Sequence, residues 1–299
     1  MRMLGWSSAR RPGTGWAIGI YEGDSPLRLA ASPRVRNPVL TDRDVTDVPA
    51  AFVADPFLLR RADQWHLFFE VLNLATENGE IGHATSADGL AWQYQRIVLA
   101  EPFHLSYPHV FEWEGECWMV PETHRAGAVL LYRADDFPGG WNRRETLLQG
   151  LFVDCSLLRF AERWWMFACS APREGDTLSL FFADDLRGPW REHPRSPVVR
   201  GDKGRGRPGG RVVVWGGRPV RFAQDCRRHY GERLRAFRVL ELTPEDYREE
   251  EVEESPVLVP PGEGWNALAM HHVDPQPWPE DPEGTPGRWI ACVDGERER

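Results

Sequence analysis

The stretch DPFLLRRADQWHLFFE, residues 55–70, runs from an apolar segment through a charged turn into a second, aromatic-rich segment. That order predicts a β-hairpin. The same order recurs in HVFEWEGECWMVPE from His109, DCSLLRFAERWWMFACS from Asp154 and GRVVVWGGRPVRFAQD from Gly210. After each hairpin comes a further strand, a polar turn and an aromatic opening an outer strand: EIGHATSADGLAWQ, VLLYRADDFPGGWN, LSLFFADDLRGPWR and LRAFRVLELTPEDYRE. The repeat is therefore a four-stranded meander of roughly 45 to 60 residues, the size of a propeller blade.

The two ends complete the count. MHHVDPQPW and RWIACVDG supply a fifth inner hairpin near the C-terminus, and WAIGIYEGDSPLRL near the N-terminus supplies a fifth outer pair. Pairing them closes the ring and leaves no open sheet edge. The expected fold is all-β, a five-bladed propeller closed by its termini, in a single domain over residues 1–299 with an ordered core of about 16–294. No long segment has apolar residues at helical spacing; TPEDYREEEVEE is the one helix-like piece, and a charged loop or short outer strand fits it equally. Trp6 and the closing ERER, residues 296–299, read as ordinary termini.

The 36 Lys and Arg residues against 45 Asp and Glu give a formal charge of −9, which argues against a general nucleic-acid surface. No stretch approaches the ~18 apolar residues of a membrane span, and the first residues lack the apolar core of a signal peptide. An integral membrane segment is not expected, and the location expected is cytoplasmic. The five cysteines, Cys117, Cys155, Cys169, Cys226 and Cys292, are scattered without CxxC spacing and read as free, mostly buried thiols.

Within "FVADPFLL", residues 52–59, Asp55 is a lone carboxylate in an apolar run, and burying one unpaired costs several kcal/mol. In a propeller the first strand of every blade lines the central channel. Those strands would bring together Asp55, Pro108 and His109, Asp154, Gly210 and Arg211, and His271, His272 and Asp274. Second-strand ends add Glu70, Glu122 and Asp225. Crowded, half-buried carboxylates have their pKa values driven apart, so that one serves as base while another keeps its proton, as glycosidic bond cleavage requires.

The motifs ADPF, SYPHVF, VDCSLL, GDKGRGRPGGR, QDC, YG and MHHVD resemble the N-terminal domain of plant glucosamine inositolphosphorylceramide transferases and its stand-alone bacterial relatives. The likeness runs from about Trp16 to Asp274. That domain is in turn similar to the five-bladed propellers of glycoside hydrolase family 43. This second resemblance implies that Asp55, in Asp-Pro, is the catalytic base, and that Asp154 tunes the acid and orients substrate. Two departures stand out. The family 43 acid is a blade-four Glu, whereas this chain reads RPGGRVVV, and Arg211 does not donate protons at neutral pH; the blade-two Asp is replaced by His109. Glu122 is the first substitute for the acid, with His109, His272 and Glu70 behind it.

The loop GDKGRGRPGGR, residues 201–211, gathers Lys203, Arg205, Arg207 and Arg211 and suits an anionic sugar. Adjacent strand residues point to opposite faces, so one of His271 and His272 is expected to face the channel. Tyr107, Phe103 and Trp265 are candidates for stacking on a sugar ring. No cofactor or catalytic metal is expected; the metal role implied by the resemblance is a structural cation in the channel. The reading is thus an enzyme acting on a glycosidic linkage of a carbohydrate or glycoconjugate, with Asp55 as base or nucleophile. A non-catalytic carbohydrate-binding propeller is the first alternative, and a propeller lyase or cyclase on a non-sugar substrate is the second.

Overall fold

The computed structural model describes residues 14–278 and 287–298; Trp6 lies outside them. The N-terminal strands are β1 (Thr14–Ser25) and β2 (Arg28–Ala31). Blade one is β3 (Ala50–Arg61), β4 (Gln64–Asn73), β5 (Asn78–Ser86) and β6 (Gln93–Leu99). Blade two is β7 (Ser106–Trp113), β8 (Glu116–Glu122), β9 (Ala128–Asp136) and β10 (Gly139–Gln149). Blade three is β11 (Val153–Phe160), β12 (Arg163–Cys169), β13 (Leu178–Ala183) and β14 (Arg191–Glu192). Blade four is β15 (Arg207–Pro208), β16 (Val213–Trp215), β17 (Arg218–Asp225), β18 (Arg233–Leu242) and β19 (Tyr247–Glu251). Blade five joins β20 (Val273–Pro277) and β21 (Trp289–Glu298) to β1 and β2, in the order β2-β1-β21-β20.

Every blade is an antiparallel sheet, so side chains alternate between its two faces. Phe68 packs toward blade two and Phe69 toward blade five; Trp164 and Trp165, and Phe181 and Phe182, divide likewise between neighbouring interfaces. Among the described residues five apolar clusters lie between successive blades, and a smaller sixth gathers Trp16, Ala51, Phe52, Ala54 and Ala269. The one that joins Ile18, Ile20, Ile290 and Cys292 of blade five to Leu58, Leu67 and Phe69 of blade one completes the ring. There is no α-helix among the described residues, and none long and apolar enough to cross a membrane.

One open sequence reading is resolved and two expectations change. The helix-like TPEDYREEEVEE contributes the outer strand β19. Residues 296–298 of the ERER end belong to β21, and Glu296 is buried, with its main chain bonded to Leu268 and Ala269. Blade four begins on the channel at Arg207 rather than Gly210, and its inner strand is broken between β15 and β16. The break has a steric cause: Gly210, at φ 134°, lies so close to blade five that a Cβ would stand 1.8 Å from the Val273 carbonyl oxygen.

Candidate active site

The channel strands carry a repeated distortion. Asp55, Tyr107 and Asp154 occupy the same place in blades one, two and three, and all have positive φ (51°, 45° and 53°). Each sits in a bulge, where pairing slips between Ala54 and Phe57, Ser106 and His109, and Val153 and Ser156. A bulge breaks alternation and re-aims a side chain. Non-glycine residues held in this conformation cost of order 1 kcal/mol or more and cluster at working sites.

Around that ring the polar side chains form two walls. On blades one and two, Glu70 in the second half of β4 faces His104 Nε2 at 3.4 Å, and Glu122 at the end of β8 is bonded to His124 Nδ1 at 2.5 Å. On blades four and five, the Arg207 guanidinium lies 4.9 Å over the Tyr230 ring, and Tyr230 meets His271 edge-on at 5.2 Å. His271 is stacked on Trp16 at 4.1 Å, and its Nδ1 bonds Asp294 at 2.8 Å. Asp55 and Asp154 stand at the seam: Asp154 Oδ2 accepts from Arg207 Nε at 2.5 Å and Gln224 Nε2 at 3.0 Å. Asp55 has His271 Nε2 at 3.8 Å and His272 Nδ1 at 3.7 Å from Oδ1, and no side-chain hydrogen bond among the described residues.

These environments separate the carboxyls. Burial, with the negative charges of Asp154 and Asp294 and against the attraction of His271, pushes Asp55 up to about 7. Burial and the fields of Asp55, Glu122, Asp154 and Asp294 raise Glu70 well above the carboxylate range, which favours its protonated form. Burial also acts to raise Glu122, but the His124 hydrogen bond and charge outweigh it and Glu122 is lowered. His271 does the same to Asp294. Glu122 is thus favoured as an ionised partner of His124, and Glu70 is the carboxyl whose protonated form is favoured.

Other sequence candidates are placed differently. His109 lies deeper, its Nδ1 accepting from Leu157 N at 3.1 Å, and burial beside Arg211 holds it well below the usual histidine range. His272 is fully buried between Phe57 and Tyr107, both ring nitrogens lack a hydrogen-bond partner, and burial lowers it to about 3. Burial favours the neutral form of both rings, which is a poor general acid. Both His271 and His272 approach Asp55, against the expected alternation, because they precede β20 and are not in a strand. Tyr107 is no sugar platform: it is buried, its hydroxyl donating to the Gly210 carbonyl (2.9 Å) and accepting from the Gly210 amide (2.7 Å). The Trp265 ring covers Gly19 and Gly295 of blade five. Asp225 is paired with Arg227 at 2.6 Å, while its neighbour Gln224 reaches Asp154.

The basic loop does not act as a unit. Arg205 binds Glu249 (2.9 Å), Arg211 binds Asp274 (2.6 Å) at the deep end of the channel, and Lys203 is exposed. Sequence reasoning missed Asp294, Tyr230, Trp16, His104 and the central place of Arg207. The signal for Asp294 was the "VDG" ending of the fifth hairpin, which parallels the acids ending β4 and β8. For a cation, Asp55, His271 and Asp294 each offer one ligand atom, all within 4.8 Å of one another. Both Asp294 oxygens are already committed to N–H donors, leaving Asp55 and His271 Nε2 as the uncommitted pair.

Comparison with known proteins agrees with this architecture. A thermostable family-43 glycoside hydrolase superimposes with a TM-score of 0.60 at 11% identity, covering 87% of this chain and 91% of that one, a likeness of fold. Glucosamine inositolphosphorylceramide transferase 1 of Oryza sativa subsp. japonica is 37% identical over 303 residues, 94% of this chain; that of Arabidopsis thaliana is 33% identical over the same share. The chain spans 40% of the length of the rice relative. The family model for the N-terminal region of these proteins matches residues 10–296, and the chain belongs to that family, glucosamine inositolphosphorylceramide transferase 1, N-terminal.

Proposed function

We propose that this propeller is a carbohydrate-active enzyme that cleaves, or transfers across, a glycosidic linkage of a glycoconjugate. The arrangement that carries the proposal is in blade one: Asp55, held at φ 51° in a bulge, has no side-chain hydrogen bond among the described residues and is pushed up to about 7, and Glu70 of the paired strand is raised so that its protonated form is favoured. Groups so divided suit general base and general acid. Glu70 gives its proton to the glycosidic oxygen as the bond from the anomeric carbon breaks. Asp55 takes the proton of the attacking water or acceptor hydroxyl, whose oxygen forms the new bond. Asp154, anchored by Arg207 and Gln224, orients the sugar and supplies negative charge near the developing oxocarbenium ion. Glu122 with His124 borders the site as a fixed ion pair. The relatives' name, with its glucosamine and inositolphosphoryl groups, makes a phosphate-bearing glycolipid the first substrate to try.

The test is turnover on a panel of oligosaccharides and glycolipids by wild type, Asp55→Asn and Glu70→Gln. Each substitution is expected to lower turnover at least about a hundredfold while ligand binding persists. Unchanged turnover in both variants would sink the assignment. Binding without turnover on every substrate would favour the second reading, a binding module, which rests on Arg207 standing on the blade-four channel strand where the hydrolases' acid would be.

A further inference from the structure

The histidine beside Glu70 has its ring proton fixed by the main chain. The Gly79 amide donates to His104 Nδ1 at 2.8 Å, so Nδ1 presents its lone pair and a neutral His104 carries its proton on Nε2. Burial, with the charges of Arg125 and His124 and against that of Glu122, lowers His104 to about 4 and favours the neutral ring. The Gly79 carbonyl accepts from Leu105 N at 2.9 Å, so the ring and the main chain of the segment between β6 and β7 are both tied to one residue of β5. Only glycine lets them close this far. A Cβ at Gly79 would stand 2.2 Å from the Leu105 carbonyl oxygen, 2.8 Å from His104 Cε1 and 2.9 Å from Glu70 Oε1. His104 Nε2 in turn lies 3.4 Å from Glu70 Oε1. Oε1 is enclosed and has no hydrogen-bond partner among the described residues, whereas Oε2 is not among the enclosed atoms and keeps open surface. A proton on Oε1 would oppose the His104 N–H and find no acceptor; on Oε2 it faces open space.

We propose that Gly79 and His104 are positioning residues for Glu70: through the fixed Nε2–H tautomer they keep Oε1 as an acceptor and place the acid proton on Oε2, the oxygen left open to a substrate. The inference rests on the reading of Glu70 as the acid and adds what aims it. A protonated carboxyl has one O–H donor, so a proton on the enclosed oxygen would not meet the glycosidic oxygen. Once Glu70 has given up its proton, the same N–H stabilises the carboxylate, because a hydrogen bond to the charged form favours that form. The acids around Glu70, namely Asp55, Glu122, Asp154 and Asp294, have no side-chain N–H to offer it, and the charged groups that act on His104 are Glu122, His124 and Arg125.

Histidine nitrogen NMR of the wild-type chain at pH 7 tests the tautomer without a substrate. His104 is expected as a neutral ring protonated at Nε2; a ring protonated at Nδ1, or an imidazolium, overturns the proposal. Two variants separate the contacts. An Asn amide reaches where Nδ1 stands and a Gln amide where Nε2 stands, so His104→Asn keeps an acceptor for Gly79 and loses the donor to Glu70, whereas His104→Gln keeps the donor. By carbon NMR of labelled glutamate carboxyls, the Glu70 titration should move upward by about one pH unit in His104→Asn and less than half as far in His104→Gln. On a glycoside that wild type turns over, His104→Asn should lose about tenfold in kcat with KM little changed, the basic limb of its pH profile following Glu70 upward, and His104→Gln about threefold or less. A Glu70 titration that stays put or moves down in His104→Asn, or equal shifts in both variants, overturns the proposal. The wild-type tautomer carries the test if a variant does not fold. With no turnover on any glycoside the glycosidic reading falls, and the tautomer and the Glu70 titration still decide whether His104 aims Glu70. Turnover with an Nδ1-protonated His104 ends this inference and leaves the glycosidic reading standing.

Discussion

The channel has two Arg–Asp pairs, one at each end, and they are built differently. At the floor, Arg211 binds Asp274 through Nε (2.6 Å) and Nη2 (3.2 Å) and caps the carbonyls of Leu58 (3.2 Å) and Val110 (2.9 Å). Asp274 also accepts from Leu58 N at 2.6 Å, so a pair in which Asp274 is fully buried and Arg211 partly buried ties blades one, two, four and five. At the mouth, Arg207 reaches Asp154 through Nε alone. The same two residue types close the structure where most of their hydrogen-bonding capacity is used inside the protein. Where capacity is left over, they are available to a ligand.

The comparison breaks most directly if both arginines are replaced by methionine. Arg211→Met is expected to cost about 3–5 kcal/mol in urea unfolding, because it leaves a buried carboxylate and two carbonyls unpaired. Arg207→Met should cost about 2 kcal/mol or less, one charged hydrogen bond. Equal losses would mean that the mouth pair is as structural as the floor pair.

Asp55→Asn sharpens the contrast from the other side. The folded protein holds the Asp55 proton up to about 7, whereas the unfolded chain releases it in the usual carboxylate range, so stability is withdrawn as pH rises through that window. Above pH 7 the variant should therefore be more stable than wild type, by about 1–3 kcal/mol, while losing turnover. A destabilised variant at pH 8 would contradict a mouth that trades stability for chemistry.

The floor should fail at the opposite end of the pH scale. His109 is held well below its ordinary range, and His272 to about 3, both chiefly by burial. Their neutral forms contribute fully above pH 6.5, and that contribution is lost as pH falls below it, because the unfolded chain takes up protons the fold refuses. His272→Phe should flatten the acid limb of stability between pH 6.5 and 4 by about 1 kcal/mol; an unchanged limb would exclude His272 as its source. The smallest effect belongs to Glu122→Gln, with turnover lowered only about threefold to tenfold, if Glu70 supplies the proton as proposed. A loss as deep as that of Glu70→Gln would return the acid role to Glu122.

Much of the fold was legible because β-structure writes itself locally. A two-residue period and an aromatic second strand mark each hairpin, and four copies of DPFLLRRADQWHLFFE-like pattern declare a ring. The exception is blade four, where the close approach of Gly210 to Val273 displaces the strand start to Arg207. That contact joins residues 63 positions apart, and no local pattern records it. At the site, Asp55, Glu70, Glu122 and Asp154 were found as acids out of place in apolar runs. Their division of labour was not, and His109 and His272 looked like proton donors until burial was known.

The sequence by itself determined the five blades, the sharing of one blade between the termini and the acids that enter the channel, because these follow from periodicity and from the cost of burying charge. Only the tertiary structure decided which carboxyl keeps a proton, which arginine closes the floor and which keeps free donors. Protonation and pairing depend on distances between side chains from different blades. Glu70 is raised by burial and then by Asp55, Glu122, Asp154 and Asp294, and Arg207 meets Asp154 through Nε alone, because of neighbours that the chain brings together only when the ring closes.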